Sequence, residues 1–139
     1  MKAGSAVLAL IVLLAGCARH PSSAAPSRAP GSSSDGGALY ETHCSSCHQL
    51  DGRGLAGVFP PLAGDAVAVG NARRAIATVA FGTRGRMSIG GRTYDGVMPG
   101  WAADLSDDQI AAIVTYVRGA WHNLAPPVSA ADVANLVGH

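Results

Sequence analysis

The run Cys44-Ser45-Ser46-Cys47-His48 restricts what this 139-residue chain can fold into more than any other stretch. On a helical turn, cysteines three apart share a face, and a histidine four after the first cysteine falls on the same side. Both sulfurs can then reach the two vinyl groups of one porphyrin while the His48 imidazole approaches its iron. C-x-x-C-H at this spacing reads as the attachment site of one covalent haem c, with thioethers at Cys44 and Cys47 and His48 as an iron ligand. A C-x-x-C redox pair would need a βαβ context, which the neighbourhood lacks. Zinc would need further cysteine or histidine ligands at regular spacing.

The chain has three cysteines, and the motif uses two. The third, Cys17, closes Leu14-Ala15-Gly16-Cys17, which resembles a bacterial lipoprotein processing box. Upstream lie Lys2 and an apolar stretch over residues 6–15, too short for a permanent membrane helix but suited to a signal peptide. Residues 1–16 are therefore expected to be removed, leaving Cys17 lipidated and the protein anchored to a membrane in the bacterial periplasm. More than one acyl chain makes such an anchor stable. The competing reading is an ordinary secretory signal with an incidental cysteine. Ten Lys and Arg face nine Asp and Glu, and Lys2, the lone lysine, leaves with the leader. The balance that remains argues against nucleic acid as a partner, because phosphate binding needs a clear basic excess.

Residues 17–35 are rich in Ser, Ala, Pro and Gly and read as a flexible tether, with a reach of about 23 Å as a random coil. Residues 36–123 should form one small domain, followed by a tail over 124–139. So small a core has little aromatic mass, and a bound porphyrin would supply what is missing. Three helices are expected. The first covers residues 36–47 behind Asp35 as N-cap. The second covers 72–80 and ends at Gly82. The third opens with the capping box Ser106-Asp107-Asp108-Gln109 and continues with Ile110, Ile113, Val114 and Val117 on one face. The glycine-rich stretch between Phe81 and Trp101 reads as loop, with a hint of strand only over 86–94. The expected class is all-α, three or more helices wrapped around one haem.

Over this folded region the chain resembles class I c-type cytochromes. The matching residues are Gly36, Tyr40 and Cys44 at intervals of four, the C-S-S-C-H run, Phe59-Pro60-Pro61-Leu62-Ala63-Gly64, Tyr94-Asp95-Gly96-Val97-Met98-Pro99, and Thr115-Tyr116-Val117-Arg118. The resemblance implies that Gly36 is small so that the first and last helices can cross, with Tyr40 and Tyr116 beside the crossing. It implies that the Pro60 carbonyl accepts the second imidazole N–H of His48, and that Phe59, Leu62 and Ile89 wall the haem. It implies Met98 as the sixth iron ligand. Met87 is the competing methionine, and His122 or His139 would be imidazole alternatives; His43 and His20 are expected to be solvated. Trp121-His122-Asn123 resembles the W-G-N tail of single-haem domains attached to bacterial dehydrogenases and reductases, with His122 in place of the glycine.

With both axial positions filled, the iron has no open site, so the resemblance implies one-electron transfer rather than an enzyme. The partners would be a redox donor and acceptor, such as a dehydrogenase, reductase or oxidase, with the chain acting as carrier or docking subunit. An obligate subunit of a membrane dehydrogenase or reductase complex is the alternative, and an open-site peroxidase or gas sensor the further one. Arg73, Arg74, Arg84, Arg86 and Arg92 form either a solvated face with one or two haem-propionate partners or a docking patch for an acidic protein.

Overall fold

The computed structural model describes residues 34–138, so the expected leader, Cys17, the tether with His20 up to residue 33, and His139 lie outside the described residues. Asp35 starts the first helix: its carboxylate accepts from the amides of Gly37 and Ala38 at 3.0 and 3.3 Å, capping α1 (Gly36–His43). The expected helix over 36–47 is not continuous. It breaks at Cys44 (φ −121°, ψ −32°) and resumes as α2 (Ser45–His48). The Ser45 hydroxyl donates to the Glu41 carbonyl at 2.6 Å, the acceptor that its own amide would use in an unbroken helix.

Two further helices follow: the short α3 (Ala66–Val69), capped by Asp65, and α4 (Ala72–Phe81), capped by Asn71 and stopped at Gly82. The stretch expected as loop then forms a hairpin. Strand β1 (Thr83–Ile89) pairs antiparallel with β2 (Arg92–Met98), from Thr83 opposite Met98 to Ile89 opposite Arg92. The all-α expectation is corrected accordingly: among the described residues there are six helices and one two-stranded sheet. The reason is local. Gly90 and Gly91 take φ of 57° and 75°, the left-handed pair that a two-residue hairpin turn needs. Exposed arginines and the in-strand glycines Gly85 and Gly96 blur the alternation that would otherwise mark these strands.

The remaining helices close the structure. The Ser106–Gln109 capping box opens α5 (Asp107–Gly119), with reciprocal bonds of 3.0 and 3.3 Å. The tail is packed rather than loose: Ser129 caps α6 (Ala130–Val137), and Val133 is fully buried. Thr115 of α5 exchanges hydrogen bonds with the carbonyl and amide of Val128 at 3.1 and 3.0 Å, fastening the tail. Helix α5 contacts α1, α3, α4 and α6, and its Ile110, Ile113 and Val114 are fully buried with Ile76 of α4. Each such aliphatic side chain contributes about 1.5–3 kcal/mol on burial. No helix among the described residues is long and apolar enough to cross a membrane.

Helix α1 crosses α5 at Gly36, where a Cβ would collide with the carbonyl of Ala112, its carbon 2.8 Å away. Three aromatics gather beside the crossing: Tyr40–Tyr116 at 5.4 Å, Tyr40–Trp121 at 5.1 Å and Tyr116–Trp121 at 5.6 Å between ring centroids. Trp121 also donates from Nε1 to the Leu50 carbonyl at 2.9 Å. This anchorage holds the chain in a turn in which Trp121 and His122 have φ of 51° and 67°. The second of these is where the resembling family carries glycine.

Two substitutions should therefore move stability in opposite directions. Gly36→Val should cost about 1–3 kcal/mol through overpacking at the crossing. His122→Gly should gain up to about 1 kcal/mol, since relief of about 1–2 kcal/mol of left-handed strain is partly offset by glycine's unfolded-state entropy. Thermal unfolding of the mature protein checks both, and a Tm that rises in the first or falls in the second would contradict the account.

Candidate functional site

Helix α2 delivers His48 into the interior, where the residue is 6% exposed. Its Nδ1 lies 2.9 Å from the Pro60 carbonyl oxygen. A carbonyl can only accept, so Nδ1 carries the hydrogen and Nε2 keeps the lone pair. Burial lowers the His48 pKa, the Pro60 bond opposing it more weakly, so the ring is neutral and available as a metal donor. Burial also pushes the neighbouring Cys44 thiol up to about 11, with the charge of Cys47 adding to the effect.

The loop carrying Pro60 is built almost wholly from main-chain bonds. Leu55 and Phe59 exchange them at 2.9 and 2.8 Å, the Gly54 amide donates to the His48 carbonyl at 2.9 Å, and the Gly52 carbonyl accepts from Leu62 and Ala63 at 2.7 and 3.0 Å. Its far end is clamped by one side chain. Asn123, 3% exposed, accepts from the Gly64 amide at 2.8 Å and donates to the carbonyls of Leu62 at 3.0 Å and Val117 at 2.7 Å. Every hydrogen-bonding direction of that amide except one acceptor site is committed.

These elements enclose a cavity of about 660 Å³ lined mainly by apolar side chains. The volume falls within the range of cofactor pockets. Cys44, Cys47, His48, Phe59, Pro60, Leu62, Ile89 and Met98 all line it. Met87 lines it too. The hairpin explains why: Met87, Ile89, Tyr94 and Met98 share the face of the sheet turned to the cavity, given the register. Met87 stands opposite Tyr94 and Met98 opposite Thr83, so the backbone positions of the two methionines lie about 13 Å apart along the ladder. Only one of them can serve an iron held by His48. The donor set suits a covalent haem: two thiols, a neutral imidazole pinned by a carbonyl, a thioether, and apolar walls.

Other candidates fall elsewhere. His122 is exposed and is not among the residues lining the cavity. His43, expected to be solvated, is instead half-buried against Trp101 with ring centroids 4.9 Å apart, and both line the cavity. Arg84 and Arg86 lie on the outer face of β1, exposed. Arg86 approaches Asp95 across the hairpin at 3.8 Å, an exposed ion pair worth about 0–1 kcal/mol. No Asp or Glu lies between Asp65 and Asp95 in sequence, and strand pairing brings Asp95 back to the arginines. Asn123, Trp101 and Tyr94 are the site residues whose roles sequence reasoning missed. The inward place of Tyr94 was open to discovery in the Gly90-Gly91 turn signal.

The family model described as cytochrome C oxidase, cbb3-type, subunit III matches residues 31–117. Cytochrome c-552 of Thermus thermophilus is 36% identical over 91 residues, covering 63% of this chain and 68% of that protein. The cytochrome c subunit of alcohol dehydrogenase (quinone) from Gluconacetobacter polyoxogenes is 40% identical over 104 residues, covering 73% of this chain and 22% of that protein. The gluconate 2-dehydrogenase cytochrome c subunit of Pantoea cypripedii is 33% identical over 113 residues, covering 75% of this chain and 24% of its own length. The chain therefore spans about a quarter or less of these dehydrogenase subunits.

Asn123→Ala should loosen the Pro60 loop. It strands the Gly64 amide and two carbonyls, and should lower folding stability by about 2–3 kcal/mol. A denaturant midpoint within error of the unsubstituted protein would show that water replaces the amide freely.

Proposed function

The chain belongs to the cytochrome c family described as cytochrome C oxidase, cbb3-type, subunit III, an electron-transfer family with covalently bound haem c, and on that premise we propose the site and setting of its electron transfer. In this reading Cys44 and Cys47 would form the two thioethers, and His48 and Met98 would be the iron ligands. The observation that carries it is the convergence of these four side chains on one apolar cavity, with His48 Nδ1 committed to the Pro60 carbonyl at 2.9 Å. The haem supplies a one-electron change at iron. The protein's part is to bind, orient and insulate. The Pro60 carbonyl holds the His48 ring in one tautomer and makes its Nε2 more basic. Phe59, Leu62 and Ile89 line the cavity and would keep water from a haem bound there, and a methionine thioether in place of a second imidazole would raise its reduction potential.

The setting we propose is the bacterial periplasm, with lipid on Cys17 as a membrane anchor, which rests on the residues around Cys17. The chain would serve as a carrier or as a docking subunit. The relatives named as dehydrogenase cytochrome subunits favour a dehydrogenase as one partner.

Optical spectra of the haem-loaded protein test the ligands. A weak near-infrared sulfur-to-iron band should be present, absent in Met98→Ala and retained in Met87→Ala. A high-spin spectrum without that band in the unsubstituted protein would mean an open iron and would move the reading to ligand or peroxide chemistry. The anchor is tested by Cys17→Ser, which should shift the protein from the detergent-extracted membrane fraction to the soluble periplasmic one. Membrane retention unchanged by the substitution would remove the lipid from the account.

A further inference from the structure

Arg118 is 3% exposed, yet no carboxylate among the described residues lies within ion-pair distance of it. Its neighbours are carbonyl dipoles: Nε donates to Pro126 at 2.8 Å, and Nη1 donates to Ala68 at 2.8 Å and Gly70 at 3.1 Å. A guanidinium has five N–H donors, and these bonds use three, leaving both hydrogens of Nη2. No enclosed side-chain nitrogen or oxygen among the described residues lacks a partner. Nη2 has none, so it must open onto free volume, and Arg118 lines the cavity. Carbonyls satisfy hydrogen bonds but do not neutralise a buried charge, which calls for an anion. Asp65 is the acid among the lining residues, and its Oδ2 is occupied by the amides of Val67 and Ala68 at 3.0 Å each. The missing anion therefore has to arrive with whatever fills the cavity.

We propose that Arg118 binds a propionate carboxylate of the covalent haem through Nη2. The inference rests on the haem reading above and adds a third point of fixation to the thioethers and the His48 bond. With Nε and Nη1 held by carbonyls, Nη2 is fixed in place and offers its two N–H groups as charge-assisted donors to a carboxylate, a pre-organisation that the flexible lysine stem lacks. Arg74 also lines the cavity but is exposed, so water screens it and it is not the partner.

The test uses the whole haem-loaded protein with propionate carboxyls labelled with carbon-13 through a haem precursor. Redox-difference infrared spectra then isolate the carboxylate stretch as the isotope-sensitive band. That band should shift in Arg118→Gln, move part of the way back in Arg118→Lys, and stay put in Arg74→Gln. A band unmoved in Arg118→Gln overturns the proposal. Should that variant fail to fold, the unsubstituted protein decides: a through-space magnetic resonance contact between a labelled carboxyl carbon and the Arg118 Nη2 protons supports the pairing, and its absence overturns it. An alkaline pyridine spectrum separates the two levels of the argument. Without thioether-bound haem, the ligand reading and this one fall together; with haem attached and the band unmoved, only this one falls.

Discussion

The crossing of α1 over α5 at Gly36 is the contact on which the rest of the structure depends. At that point a hydrogen atom stands where any other side chain would meet the backbone of Ala112. The close approach fixes the direction of α1, and α1 feeds directly into the turn that carries Cys44, Cys47 and His48. On its other sides the same α5 supports α3, α4 and α6 and contributes Ile113, Val114, Val117 and Arg118 to the cavity wall. One rigid strut thus sets both the floor of the site and the element that points its donors inward. Tyr40, Tyr116 and Trp121 lock the crossing with edge and tilted contacts, concentrating three of the chain's few aromatics in one place.

Away from that crossing, side chains reaching to the main chain do the work of secondary structure. The loop between α2 and α3 has an isolated Leu55–Phe59 bridge and a series of turns. Asn123 holds its end, Arg118 holds the end of α3, and the Pro60 carbonyl holds His48. Such bonds are short in reach and buried, so each leaves an unsatisfied group if it is lost. They make the cavity wall rigid without a regular ladder. Apolar walls around a volume of this size belong to the core of so small a domain, so a bound apolar group counts as part of the fold as well as of the function.

The hairpin is the other wall. Its outer face, with Arg84, Arg86, Ser88, Thr93, Asp95 and Val97, is exposed, while its inner face carries two methionines, an isoleucine and a buried tyrosine. Placing both thioethers on one inward face follows from a strand period of two and a register set by Gly90-Gly91. The Arg86–Asp95 pair on the outer face shows that part of the basic surface carries its own counter-charge.

What the sequence determined by itself is everything carried by contiguous spacing. The C-S-S-C-H run, the caps at Asp35 and Ser106 and the stop at Gly82 are each decided within a few residues of chain, where backbone geometry alone relates position to direction. The hairpin was partly legible in its glycine pair, but arginines and glycines within the strands hid the alternation. The break at Cys44 was hidden because a hydroxyl one turn along competes for a helix carbonyl. The tertiary structure alone decided which buried polar groups close the site. Asn123 meets Gly64 across 59 positions, and Arg118 meets Ala68 across 50. At such separations no local pattern distinguishes a helix-end arginine or a tail asparagine from a solvated one. Only the packing of α5 against α3 and the loop removes water from them and makes their hydrogen bonds obligatory.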